Sequence, residues 1–119
     1  EENILTPVWA TNILDWKMRL EWIYKIIPEA LELKDRPSTS LSGGQQKLIA
    51  LSRALMVGSK LLLLDEPSEG IAPALAKRII DILNDLKKEG VTTLIAESNA
   101  GHYKGMLDKS FVIERGQIN

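Results

Sequence analysis

The chain has no cysteine, so disulfides and thiolate metal sites are excluded, and a reducing compartment is compatible with it. No apolar run approaches the ~18 residues that a membrane-spanning helix needs, and no signal-peptide pattern is visible. The charge balance is almost even: 15 basic against 16 acidic residues give a net charge of -1. That balance gives no support for a nucleic-acid surface or for a patch aimed at acidic membranes. Internal repeats and low-complexity segments are also missing. What remains is an ordinary globular composition, 45% hydrophobic and 26% charged over 119 residues, enough for one domain with a modest core. The chain opens on Glu1-Glu2-Asn3 and stops on Gln117-Ile118-Asn119, so the expectation is a fragment or a processed product.

Two blocks organise the rest. Leu41-Ser42-Gly43-Gly44-Gln45-Gln46 reads as the mouth of a helix. Ser42 suits the N-cap, and Gln45 three residues on completes a capping box. Gly43 and Gly44 remove side chains where a ligand approaches the backbone. Free amides and the positive helix end then face an anion, ideally a phosphate. The second block, Leu61-Leu62-Leu63-Leu64-Asp65-Glu66-Pro67, reads as a buried strand ending in two carboxylates. Four leucines suit a strand covered on both faces, and ligands gather at the carboxyl ends of such strands. Asp65 is placed to hold a hard cation such as magnesium through water, and Glu66 to orient or activate a water.

Around these blocks the expected order is helical first and α/β afterwards. Glu1 to Leu5 predicts a helical turn that Pro7 interrupts. Ala10 to Ile27 predicts one helix with a broad apolar face, and Pro28 to Leu33 a short one. Three tryptophans, Trp9, Trp16 and Trp22, fit packing in a helical layer or against a partner better than a sugar or base platform. Lys34 to Ser40 is a polar loop. The helix from Gly43 ends near Val57 at Gly58, and its Arg53 fits a solvated or carboxylate-paired role better than a phosphate contact. After a loop over Ser68 to Ala72, Pro73 opens an amphipathic helix to Lys88 that Gly90 ends. Val91 to Ala96 is a second buried strand, parallel to the first with a right-handed crossover. Glu97-Ser98-Asn99 forms a loop, followed by a short helix near Ala100 to Leu107. Ser110 to Glu114 is a third strand, with a hairpin starting at Arg115-Gly116.

The two blocks, at this spacing, resemble the signature and Walker B motifs of ATP-binding-cassette (ABC) ATPases. The helix between them, ending in Ser52-Arg53-Ala54-Leu55, belongs to the same pattern. Glu1-Glu2-Asn3-Ile4 is similar to the family's TVEEN stretch, and the sequence DEPSEGIAP from Asp65 resembles the DEPSEGLAP of branched-chain amino-acid importer ATPases. Glu97-Ser98-Asn99 stands where those proteins often carry EQN. The resemblance implies a partial P-loop NTPase fold of the α/β class. Residues 1–40 would be the helical subdomain, and 41–119 the C-terminal half of the parallel-sheet core, with the Walker A strand missing. It further implies that Ser42, Gly43, Gly44 and Gln45 clasp the γ-phosphate of ATP on an opposite subunit. Asp65 orders Mg2+, Glu66 polarises the attacking water, and Ser98 occupies the switch position. The implied partners are a second ABC ATPase subunit and integral-membrane permease subunits, holding a cytoplasmic protein at the inner face of the membrane. Nucleic acid is not among them, and the chain has no transmembrane segment of its own. Trp9, Trp16 and Trp22 are candidate permease contacts or core.

Several family features are absent or altered. No glycine-rich loop with its lysine and serine or threonine occurs in the chain, and the glutamine loop is absent too. The usual switch histidine aligns with Ser98, and the D-loop aspartate with Ala72. His102, the single histidine, fits a solvent-facing or locally bonded role better than a substitute switch. The isolated chain is therefore expected to be inactive, and a sheet without the Walker A strand to leave unpaired edges that dimerisation or rearrangement repairs. The alternative function is a truncated, non-catalytic module that completes the ATP site of a partner ABC chain. An ABC protein of DNA repair or translation is a further reading, opposed by the neutral charge and the DEPSEGIAP match.

Overall fold

Pro7 does not end the first helix. In the computed structural model, which describes residues 1–119, helix α1 runs through it from Glu2 to Thr11. The proline removes one backbone bond, but Ile4 is wholly buried and Leu5 and Val8 pack against the core, and this packing overrides the local penalty. The helix stops at Asn12, in the left-handed region at φ 51°, whose N–H returns to the Val8 carbonyl. The single helix expected from Ala10 to Ile27 is thus two: α2 begins only at Trp16 and ends at Ile26. Asp15 pairs with Arg19 across the first turn of α2, and the Arg19 guanidinium also donates to the carbonyls of Met56 and Val57. Short α3, Pro28–Glu32, starts on its proline as expected.

Helix α4 (Gly43–Val57) is the central packing element of the helical layer, with Leu48, Ile49, Leu51, Leu55 and Met56 buried. Ser52, also buried, satisfies its hydroxyl on the Leu48 carbonyl at 2.8 Å. Arg53 donates to the Asn3 side chain at 3.2 Å and so ties α4 to α1, a neutral partner where the sequence predicts a solvated or carboxylate-paired arginine. Strand β1 (Leu61–Asp65) follows, then α5 (Pro73–Lys88), opened by its proline. Gly90, at φ 84°, adopts the left-handed turn beyond α5 that glycine takes most easily. Strand β2 (Thr92–Ala96) pairs parallel to β1, in register from Leu61 opposite Thr92 to Asp65 opposite Ala96.

The leucine run is not covered on both faces. Leu62 is buried, and Leu64 is half-buried against the core. Leu61, Leu63 and Leu94 are 57%, 65% and 60% exposed, because no element of these 119 residues packs on the opposite face of the sheet. The sheet has two strands only. The expected third strand shrinks to β3 (Ile113–Glu114), which pairs with β4 (Gln117–Ile118) in a separate antiparallel hairpin. Arg115 and Gly116 both have positive φ, 49° and 77°, the geometry of a two-residue hairpin turn. The helix expected after Asn99 is a single 3-10 turn, Ala100–Tyr103, that buries Tyr103. The radius of gyration is 15.0 Å. A compact chain of this length has a value of roughly 13–14 Å.

Candidate functional site

The carboxyl ends of β1 and β2 lie side by side, so the parallel register brings Asp65 and Glu66 next to Glu97 and Ser98. The ladder extends one residue beyond the strands through the Glu66 N–H, which donates to the Ala96 carbonyl at 2.9 Å. There the backbone turns sharply, with Glu66 in the left-handed region at φ 46°. A non-glycine residue in that region carries strain that its surroundings must hold in place. Its carboxylate is gripped by Ser98: the Ser98 N–H donates to Oε1 at 3.0 Å, and the hydroxyl lies 3.5 Å from Oε2. The structure therefore joins Glu66 and Ser98, two residues that the sequence places 32 positions apart. His102 is exposed and takes no part in this network.

Glu97 forms the inner half of the cluster. Its Oε1 accepts from the Ser68 N–H at 3.1 Å, the Ser68 hydroxyl at 2.6 Å and the Tyr103 hydroxyl at 3.1 Å. The neighbouring Glu97 carboxyl raises Glu66 above the ordinary carboxylate range. Desolvation adds to the rise, and the bonds from Ser98 oppose it. Glu97 moves the other way. Burial pushes it up, but the Ser68 hydroxyl, Glu66, the Ser68 amide and Tyr103 together draw it below the usual value. Two adjacent carboxyls disfavour each other's ionisation, and here the upward shift falls on Glu66.

The signature block sits at the mouth of α4. Ser42 and Gln45 form the expected capping box: the Gln45 N–H donates to Ser42 Oγ at 3.2 Å, and the Ser42 N–H to Gln45 Oε1 at 3.0 Å. The Gly43 and Gly44 amides, at the first two helical positions, have no partner and point from the positive end of the helix. The two glycines differ. A side chain at Gly43 would meet nothing within 4 Å, whereas a Cβ at Gly44 would lie 1.7 Å from Leu75 Cδ2. Gly43 is open for the approach of an anion; Gly44 makes room for α5. Five residues past Ser42, the Lys47 ammonium donates to the carbonyls of Glu66, Pro67 and Glu69 at 3.2, 3.2 and 2.6 Å. The mouth of α4 is thereby fastened to the loop that carries Glu66.

Asp65 is exposed at the end of β1, and no three acidic, histidine or cysteine side chains gather anywhere into a metal-binding group. One free carboxylate suits Mg2+, which keeps several waters and takes its other ligands from phosphate oxygens. Lys47 and Tyr103 carry no signal in the motif spacing; Ser68 lies within the DEPSEGIAP stretch and Glu97 opens Glu97-Ser98-Asn99, but the sequence assigns neither a role. A glutamate directly before the switch position is the one local hint. Of the tryptophans, Trp16 and Trp22 pack against the core, with the Lys17 ammonium 5.4 Å from the Trp16 ring centroid, and Trp9 is 66% exposed. No helix is long and apolar enough to cross a membrane.

Comparison with known proteins agrees with this geometry. A family profile described as "ABC transporter" matches residues 9–69. The chain is 36% identical over 118 residues to the high-affinity branched-chain amino acid transport ATP-binding protein BraG of Pseudomonas aeruginosa, covering 99% of this chain and 51% of that protein. It is 40% identical over 102 residues to the "probable branched-chain amino acid transport ATP-binding protein LivG" of Methanocaldococcus jannaschii, covering 83% of this chain and 39% of that one. Among solved structures, a nucleotide-free ATP-binding cassette from an ABC transporter superposes with a TM-score of 0.77 at 34% identity, covering 92% of this chain and 43% of the cassette. A cassette in its ADP conformation gives 0.73 at 39% identity, covering 83% of this chain and 40% of that cassette. The chain thus spans about half the length of the first of these relatives, or less in the others.

Proposed function

Because this chain belongs to the ABC transporter family, we propose that it is the signature-to-switch portion of an ATP-binding subunit that powers import of branched-chain amino acids or a related solute. The observation that carries the reading is the convergence of Glu66 and Ser98 at the paired strand ends, fastened through Lys47 to the mouth of α4. Residues 1–40 serve as helical subdomain and 41–119 as the later half of the nucleotide-binding core. Phosphoryl transfer to water asks the protein mainly for positioning and charge stabilisation. Mg2+, when bound, neutralises phosphate charge. Asp65 presents the carboxylate that orients it through water. Glu66 accepts a hydrogen bond from the attacking water and aligns it, while Ser98 holds the Glu66 carboxylate in one orientation. Ser42, Gly43, Gly44 and Gln45 offer the positive mouth of α4 to the γ-phosphate of ATP held by an opposite subunit.

These 119 residues contain no lysine-bearing phosphate loop, so turnover is assigned to an assembly in which another segment or chain supplies it. The isolated chain is inactive on this reading. Its partners are a second ATPase subunit and the permease, which hold it at the cytoplasmic face of the membrane. An antibody against the chain, used to measure the mass of the natural polypeptide in its source cells, is the first test. A species much larger than 13.3 kDa supports a phosphate loop in the same polypeptide. A species of that mass instead directs the search to a partner chain, with a module that completes the partner's ATP site. Where the phosphate loop lies in the same polypeptide, Glu66→Gln abolishing ATP hydrolysis supports the catalytic assignment, and full activity of that variant rejects it; a module that only completes a partner's site predicts activity that Glu66→Gln leaves intact.

A further inference from the structure

We propose that Lys47 is a positioning residue for Glu66, holding the hydrolytic carboxylate in place through the backbone of its loop. The inference rests on the assignment of Glu66 made above. Glu66 occupies a left-handed conformation at φ 46°, which a non-glycine residue keeps only where its neighbours over-determine it. On its N-terminal side that constraint is the bond from the Glu66 N–H to Ala96. On its C-terminal side the Glu66 carbonyl accepts from the Glu69 N–H at 3.1 Å, closing a tight turn, and from Lys47 Nζ at 3.2 Å. The same ammonium takes the Pro67 and Glu69 carbonyls, so all three of its donors are spent on one four-residue turn.

Lys47 forms none of the ion pairs in the protein, although Glu66 and Glu69 both lie on the loop it touches. Its charge is directed at backbone oxygens, and charge-assisted bonds of this kind are stronger than neutral ones. A surface tether would serve equally well with one such bond. Three that converge on the turn following Glu66 fix the direction in which the side chain leaves the backbone. Because Lys47 lies on the first turns of α4, the position of Glu66 is also referred to the signature helix, so that the phosphate-facing amides and the water-orienting carboxylate move as one unit.

The test uses the complete ATPase assembly that carries this chain, with Lys47→Met, Lys47→Arg and Glu66→Gln variants. Steady-state kcat and KM for MgATP are measured, together with amide hydrogen exchange over residues 65–70. Lys47→Met is expected to lower kcat about tenfold or more while KM stays within about threefold, as misplacement of a reacting group does. Exchange in the turn should rise at least about tenfold, with α5 and β2 unchanged as the check on folding. Lys47→Arg, which keeps a charged multiple donor, should restore most of kcat. If Lys47→Met fails to assemble, Lys47→Gln carries the same expectations. Unchanged exchange over 65–70 in the uncharged variant overturns the positioning role. So does a kcat within about twofold of wild type while Glu66→Gln is inactive. Full turnover by Glu66→Gln overturns instead the assignment of Glu66, and the exchange result still decides whether Lys47 holds the turn.

Discussion

The Ser68 hydroxyl donates to Glu97 Oε1 at 2.6 Å, and that one oxygen also accepts from the Ser68 N–H and the buried Tyr103 hydroxyl. Three donors on a single carboxylate oxygen join the loop after β1, the loop after β2 and the 3-10 turn. Glu97 is therefore the fixed member of the carboxyl pair, while Glu66 is held by Ser98.

Glu97→Ala should leave those donors unmatched, including the buried Tyr103 hydroxyl. An unsatisfied buried group costs about 1–3 kcal/mol. Thermal unfolding is expected to show a midpoint several degrees lower, with turnover of the assembly reduced as well. Tyr103→Phe removes one donor together with its need for a partner, so its loss should be smaller, about 1 kcal/mol. Equal midpoints for the two variants would count against Glu97 as the shared anchor.

The Arg78 guanidinium makes a forked contact with the Glu29 carboxylate, joining α5 to α3 across the interface between the core and the helical layer. The bond from Arg78 holds Glu29 below the ordinary carboxylate range, with burial opposing it, and Arg78 is raised in turn by Glu29. A carboxylate depressed in the folded state contributes stability that is fully present above its unfolded pKa and is lost as pH falls through the folded one. Glu29→Gln should thus be less stable than wild type at neutral pH, by roughly 1 kcal/mol for a pair about one-third exposed. The difference should vanish on acidification below the normal carboxylate range. Midpoints that stay apart at low pH would show that packing, and not the ion pair, is responsible.

The features legible in the sequence are those written within a few residues of one another. Ser42 and Gln45 announce a capping box, Pro73 opens α5, and Gly90 ends it. The parallel pair follows from a strand, a helix and a strand in succession. Pro7 misleads because its local penalty is set against the burial of Ile4, which no window around the proline reveals. The leucines of β1 suggest two covered faces, yet what covers a sheet is a property of elements far along the chain or outside it. In the candidate site, Asp65 and Glu66 stand out by motif. Lys47 does not, and Ser68, though within DEPSEGIAP, shows no role there, since their contacts join residues 19 to 29 positions apart through the fold alone. Glu97, one residue before Ser98, is visible but without a role until Ser68 and Tyr103 are seen around it.

The uncovered face of the sheet has a consequence for the 119 residues in isolation. Leu61, Leu63 and Leu94 form an exposed apolar row, and both outer edges of a two-stranded sheet lack partners. Such surfaces associate. Size-exclusion chromatography with light scattering should find dimers or larger species, and Leu63→Lys with Leu94→Lys should shift the population towards monomer. A well-folded, strictly monomeric wild-type chain at micromolar concentration would refute the expectation.

Gly43 and Gly44 are adjacent in the signature block, yet their substitutions should fail for different reasons. A methyl group at Gly43 meets nothing in the fold, so Gly43→Ala should leave thermal stability unchanged or slightly raised, as alanine suits a helix better than glycine. On the proposed role of the signature block, the methyl would stand where a phosphate approaches the free amides, and ATP turnover by the assembly should fall. Gly44→Ala places its Cβ 1.7 Å from Leu75 Cδ2, so the leucine must leave its rotamer or α4 and α5 must separate. Overpacking of this kind costs about 1–3 kcal/mol. Leu75→Ala alone also destabilises, because it removes a side chain packed on the core. The double variant relieves the clash, so its loss should be smaller than the sum of the two single losses by more than about 0.5 kcal/mol. Strict additivity would mean that Leu75 yields freely and that the close approach of α5 does not explain the glycine at position 44.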